Sequence, residues 1–419
     1  MIWTPVILLG LLSGVSAERK SYSGYKILDT EALNERAVKA LSPLTNVLDF
    51  WDSPRVGKPS RILVSPSEYQ QVRNVLGSQH IEFDVLVSDL ESSLEQEPAS
   101  QYELRNGSIS FTKFNRLAEI HAYLDALAEK YPQLVSVSSI GKSLEGRDLK
   151  LIKISSGGNG TRPAIFIDAA IHAREWIAPP VALYTIQQLV ENYTVHKDLV
   201  DNVDWYILPV LNPDGYEYTH TTDRFWRKTR SNNGDPECLG VDANRNFDFH
   251  WGEVGSSTDL CSQSYSGPRA LSESEAASLA QYLLESPAKF QLYLTLHSYG
   301  KLLLHPWRWT TDTPEDVEDL SSLGKKAADA LEKVRGTKYK VGSSAGILYY
   351  SAGTSRDWAK GKAGIKYSYT MELPAGGSGF NPPPSDIIPV VTETFEAIKV
   401  FGKAIGSIKP PDVKLSDEK

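Results

Sequence analysis

The run Ala164-Ile165-Phe166-Ile167 constrains the fold of this 419-residue chain more than any other segment. It is unbroken, apolar and rich in β-branched residues, and too short for a helix. That is the signature of a strand buried on both faces. A polar loop follows, carrying His172 and Glu175 with Arg174 between them. Pro179-Pro180 then opens an apolar helical pattern through Leu183, Ile186 and Leu189, and proline is well tolerated in a first helical turn. The order is strand, polar loop, helix, and ligands of α/β sheets gather beyond the carboxyl ends of strands.

Two further runs deliver polar residues in the same way. Leu292-Tyr-Leu-Thr-Leu296 runs into His297, and Tyr367-Ser-Tyr-Thr-Met371 runs into Glu372. Imidazole nitrogen and carboxylate oxygen are both good zinc donors. Two histidines and one carboxylate leave a fourth coordination position open, the pattern of a catalytic rather than a structural site. A second carboxylate beside such a site is a natural general base. Arginine and asparagine cluster in Arg224-Phe-Trp-Arg227-Lys-Thr-Arg230 and in Asp242-Ala-Asn244-Arg245-Asn246. Guanidinium groups grip carboxylates in bidentate fashion, so this cluster beside a metal suggests recognition of an anionic substrate end.

The chain is long enough for two domains or more. A formal net charge of −8 without basic blocks argues against nucleic acid as a partner. Ile2 to Leu12 form an apolar run ending at Val15-Ser16-Ala17, which reads as a signal peptide over residues 1–17 and implies a secreted protein. That run is too short to span a bilayer and no second one follows, so no membrane partner is expected. In a secreted chain the two cysteines, Cys238 and Cys261, are expected to form one disulfide. Glycosylation sequons begin at Asn106, Asn159 and Asn192.

Residues 19–97 alternate short strands and helices, as suits a small open α/β sandwich. From Asp89 to Ser110 the composition turns acidic and Ser/Gln-rich around Arg105, and reads as a linker open to proteolysis. Residues 18–105 are therefore expected to be a removable activation domain and residues 106–419 the body of the protein, the layout of a zymogen. In that body, Ser272/Glu275 stand at capping-box spacing ahead of a helix over 272–284. Gly336 is expected to stop a helix over 316–334, and a last helix is expected over 385–408.

The motifs HAREW, RFWRKTR, DANRN, LHSYG, ILYYSAGTSRDW and YTMELP, in that order, closely resemble the secreted zinc carboxypeptidases of the pancreatic A/B type. The likeness covers nearly the whole chain, including Asp49-Phe50-Trp51, which looks like that family's inhibitory pro-domain. It implies an α/β fold: a mixed, mostly parallel eight-stranded sheet flanked by helices, preceded by the small open sandwich. It implies one Zn2+ held by His172, Glu175 and His297, with Glu372 as general base and Arg227 stabilising the oxyanion. Asn244 and Arg245 would clamp the substrate's terminal carboxylate, and Tyr349 would close over it. Arg174, Ser298 and Tyr299 would line subsites, Asp242 would orient a zinc histidine, and Cys238–Cys261 would be the family's disulfide. The partners implied are peptide and protein carboxyl termini and an activating trypsin-like protease, with a monomer expected. Arg105 is the expected cleavage site, with Lys113 as the alternative.

In this family the residue before the aspartate of the S-x-D-W segment tunes the terminal-residue pocket. Here it is Arg356, which is expected to favour terminal Glu or Asp through a charge-assisted pair; the alternative is that it turns to solvent or pairs with Asp357, leaving a pocket of broad or apolar preference. Arg308 is expected near the same pocket. Two rival readings are weaker. Gly342-Ser-Ser344-Ala-Gly346 fits the G-x-S-x-G elbow of serine hydrolases, but that motif needs a later histidine, and the last one is His305. A silent peptide-binding relative would have lost its base, yet Glu372 is present.

Overall fold

The computed structural model describes residues 19–94, 108–157 and 162–408. The expected signal peptide, Arg105, Asn106 and Asn159 lie outside them. No helix among the described residues is long and apolar enough to cross a membrane.

Residues 19–94 build a four-stranded antiparallel sheet from β1 (Lys26–Thr30), β2 (Asp49–Asp52), β3 (Arg61–Val64) and β4 (Phe83–Val87), in the order β2-β3-β1-β4. Two helices, Glu35–Leu41 and Tyr69–Ser78, cover one face. The period of two sorts the side chains. Leu28, Ile62 and Val64 enter the small core with Leu41, Val72 and Leu76, whereas Ile27 and Leu63 point to the opposite face. The acidic stretch expected to be linker starts as structure: Leu90–Leu94 form a helical turn, because Leu90 and Leu94 are buried against that opposite face.

The second sheet has eight strands. They are β5 (Val135–Lys142), β6 (Asp148–Ile154), β7 (Pro163–Ala169), β8 (Asp204–Leu208), β9 (Lys289–Ser298), β10 (Leu302–His305), β11 (Lys340–Ser343) and β12 (Tyr367–Leu373), in the order β11-β10-β12-β9-β7-β8-β6-β5. β12, β9, β7 and β8 run parallel at its centre. All seven residues of β7 are buried, as its composition requires. Ile165 and Ile167 pack under the helices Leu117–Lys130, Ala178–Val190, Val317–Arg335 and Ile387–Gly406, while Ala164 and Phe166 pack under Ser274–Glu285 on the other face.

Gly336 ends its helix at φ 79°, the left-handed conformation that glycine adopts without a Cβ penalty. The capping box expected at Ser272/Glu275 does not form. Glu273 is the N-cap residue, and Ser272 Oγ is committed to Asn246 Nδ2 and Glu273 Oε1. Cys238 and Cys261 are bridged, across 23 residues.

Candidate metal centre and active-site cleft

Three parallel strands bring the expected ligands together. β7 ends three residues before His172, and β9 and β12 lie in a register that sets Glu372 directly beside His297. The mutual distances are short: His172 Nδ1 to Glu175 Oε1 2.7 Å, His297 Nδ1 to Glu175 Oε2 3.0 Å, and His172 Nδ1 to His297 Nδ1 3.2 Å. Two ligands of one tetrahedral zinc at ordinary bond lengths stand about 3.3 Å apart. The triad therefore fits that ion, and all three side chains are buried.

Surrounding groups fix the ligands' orientation. His172 Nε2 lies 3.1 Å from Asp242 Oδ1, and the Ser298 backbone N–H donates to Glu175 Oε2 at 3.2 Å. Asp242 also accepts from Arg227 NH2 at 2.7 Å and stands 3.6 Å from Arg245 NH1. Burial would raise the Asp242 carboxyl's pKa, but Arg227, Arg245 and His172 outweigh it and hold the group well below the usual range. Asp242 is thus an anion that ties the metal side of the cleft to its cationic side.

The cavity over the triad measures about 340 Å3. On the enzyme side Arg174, Arg227, Asn244, Arg245, Tyr349 and Glu372 line it. Arg245 lies within 3.4 Å of the Tyr349 hydroxyl and donates to Gly255 O at 3.2 Å. Gly353, at φ 68°, passes so close that a Cβ there would sit 2.3 Å from Arg245 O. Burial pushes the Tyr349 phenol up, yet the guanidinium groups of Arg308, Arg245 and Arg227 together bring it down to about 8. Glu372 is raised above the ordinary carboxyl range by burial, against the pull of His297.

Residues 50–55, the end of β2 and the loop after it, roof this cavity. Asp49 Oδ2 accepts from Arg174 NH1 at 2.6 Å, and Asp52 Oδ2 accepts from the Tyr299 hydroxyl at 3.0 Å. Arg55 donates to the Ile347 carbonyl. The Trp51 ring lies 5.1 Å from both Phe225 and Phe380, tilted against the first and edge-on to the second. The amino-terminal arm grips Asp223 with Lys20 and Tyr22. These acidic contacts of Asp49 and Asp52 were not legible as a site. The signal was the spacing acid, aromatic, acid in Asp49-Phe50-Trp51-Asp52, on a strand at the sheet's edge.

Arg356 is placed differently from the expectation that it faces the substrate. It is buried, does not line the cavity, and donates through Nε and NH2 to Asp357 Oδ1 at 3.0 and 2.8 Å. Arg308 does line the cavity. Ser344, the serine of the elbow-like motif, is fully buried in a four-residue turn, and its hydroxyl has no partner among the described residues.

This fold, with a His-Glu-His triad at strand ends under a docked amino-terminal domain, defines a zinc metallopeptidase in precursor form. The zinc carboxypeptidase family model matches residues 120–397, and the carboxypeptidase activation peptide model matches residues 29–97. The chain belongs to the zinc carboxypeptidase family, enzymes that hydrolyse carboxyl-terminal peptide bonds, and is made as a zymogen. It is 48% identical to carboxypeptidase B of Astacus astacus over 299 residues, 71% of this chain and 98% of that protein. It is 36% identical to carboxypeptidase A2 of Rattus norvegicus, over 94% of this chain and 97% of the relative. Among solved structures, carboxypeptidase A from Helicoverpa armigera superposes with a TM-score of 0.88 at 32% identity, covering 93% of this chain and 99% of that one. Relatives named A and B match alike, so likeness leaves the terminal-residue preference open.

Proposed function

We propose that this precursor is secreted, is opened by a trypsin-like protease at Arg105, and then removes terminal Glu or Asp from peptides. The observation that carries the acidic preference is the charge of the cleft. Once residues 18–105 have left, the lining among the described residues holds Arg174, Arg227, Arg245 and Arg308, against two carboxylates, Glu175 and Glu372. One of these is a metal ligand and the other the proposed base, so none is left to pair with a terminal Lys or Arg. The disulfide supports secretion, since such bridges persist in oxidising compartments. Lys113, the alternative cleavage site, is paired with the buried Glu119 at 2.6 Å, which favours Arg105.

In the proposed mechanism Asn244 and Arg245 hold the terminal carboxylate and Tyr349 closes over it. Arg174, Ser298 and Tyr299 line the subsites before the scissile bond. Zinc, when bound by His172, Glu175 and His297, polarises a carbonyl and lowers the pKa of water to about 7. Glu372 takes the proton of the attacking water and returns it to the departing amine. Arg227, held by Asp242, supplies fixed positive charge for the developing oxyanion, where preorganised charge helps most. Asp242, on His172 Nε2, keeps that ring with Nδ1 turned toward Glu175 and His297, the residues that would hold the ion with it.

Two measurements test this reading. Trypsin treatment followed by amino-terminal sequencing should give a new start at residue 106. The activated enzyme should release Glu from a peptide faster than Phe or Lys from its counterparts. Efficient release of Phe with negligible release of Glu would overturn the acidic preference.

A further inference from the structure

Two buried arginines lie near the carboxylate clamp, and their circumstances differ. Arg356 has spent its charge: Nε and NH2 are on Asp357 Oδ1, and NH1 reaches Thr370 Oγ1 at 3.3 Å. The other oxygen of Asp357 accepts the backbone N–H groups of Arg308, at 2.6 Å, and Trp309, at 3.3 Å. The Arg308 carbonyl in turn accepts from the Ser351 N–H at 2.9 Å. Arg356 thus acts on the cleft through Asp357, which pins the backbone of Arg308.

Arg308 itself is only 6% exposed and lines the cavity. Its Nε has no hydrogen-bond partner, and no carboxylate lies within ion-pair distance among the described residues. Its guanidinium carbon stands 4.5 Å from the centre of the Tyr349 ring, whose hydroxyl meets Arg245 on the other side. The hydroxyls of Ser344 and Ser351 are also buried without partners among the described residues. They belong to the same neighbourhood, since Ser351 bonds to Arg308 and Ala345 to the Trp307 carbonyl. Neither serine lines the cavity, whereas Arg308 does, and a buried cation left without a counter-ion is costly unless a ligand completes it. The ligand that matches is an anion placed one tyrosine away from the group that holds the terminal carboxylate.

We propose that Arg308 receives the side-chain carboxylate of a terminal Glu or Asp, and that Arg356 is a positioning residue that fixes Arg308 through Asp357. This rests on the acidic preference proposed above. The substrate then spans two arginines, its main-chain carboxylate on Arg245 and its side-chain carboxylate on Arg308, with the Tyr349 ring between.

The test uses the trypsin-activated enzyme and matched peptides ending in Glu and Gln, read as the ratio of their kcat/KM values. In Arg308→Gln the Glu:Gln ratio should fall by about 10- to 150-fold, the range for a hydrogen bond to a charged group. Arg308→Lys should keep part of it. Arg356→Lys retains an ion pair to Asp357 and should keep the ratio, whereas Arg356→Gln should lower the ratio, though by less than Arg308→Gln, because it loosens Arg308; an equal loss on both peptides would make Arg356 merely structural and overturn its positioning role. Should the glutamine variant fail to fold, the lysine variant still decides. An unchanged ratio in Arg308→Gln, or a ratio that collapses in Arg356→Lys, overturns the assignment while leaving the acidic preference standing. A parent enzyme with no preference for Glu over Gln removes both.

Discussion

The floor and the roof of the cleft are built differently. The floor hangs on four parallel strands buried on both faces, so each ligand is placed by a core that no ordinary fluctuation opens. The roof is a small sheet with its own core, docked through Tyr22, Trp51, Leu90, Phe225 and Phe380 and a few ion pairs. A mixed patch of this kind resembles an interface between domains rather than a continuous core. Catalysis is therefore built into the part that stays, and latency into contacts that one cut in the chain can release.

The sharpest way to break this contrast is on the floor. Glu372→Gln should lower kcat of the activated enzyme by at least about 10^3-fold, near the upper part of what a general base contributes. Its zinc content, measured by atomic absorption, should stay at one ion per chain, because Glu372 is not in the triad. Loss of zinc from that variant would show that floor and base are one structural unit.

On the roof, Trp51→Ala should release the docked domain in part. Truncating a buried aromatic anchor costs on the order of 2–4 kcal/mol, so hydrolysis of a small peptide by the uncleaved precursor should rise at least about tenfold. After cleavage, the variant's kcat/KM should equal the parent's. A change that persisted after cleavage would place Trp51 in the floor's folding rather than in latency.

Asp49→Asn should give a smaller rise, about three- to tenfold. It removes the charge opposite the buried Arg174 but keeps a hydrogen-bonding oxygen at that position. Adding salt should narrow the difference between variant and parent, since Asp49 remains partly exposed.

A last effect concerns stability of the floor alone. Burial pushes Glu275 up to about 7 from an ordinary 4.5, and its Oε1 has no partner among the described residues. The folded state then holds a proton that the unfolded chain releases above pH 4.5, so stability falls as pH rises from 4.5 to 7. Glu275→Gln should remove this slope and gain about 1–3 kcal/mol at pH 8. Thermal midpoints at pH 5 and pH 8 measure it. An equal gain at both values would trace the effect to packing instead of titration.

Much of the floor was legible in the chain. The runs that became β7 and β9 are largely apolar because both their faces are covered, β12 is mixed apolar and polar, and each leads into a residue of the site. The short β10 and the polar β11 escaped notice, as did β5, an exposed edge strand with little alternation. In the roof, β2 was visible only as a likeness, because a four-residue strand with acids at both ends has no periodicity to read.

The order of residues alone determined which side chains end the central strands: two imidazoles, a ligand carboxylate and a further glutamate. Strand direction and a two-residue period suffice for that, because a buried parallel sheet permits few arrangements. Only the tertiary structure decided which of two arginines keeps a usable charge. The decision lies in Asp357, adjacent to Arg356 in sequence but joined to Arg308 across 49 positions, and charge neutralisation depends on contact in space rather than on residue type.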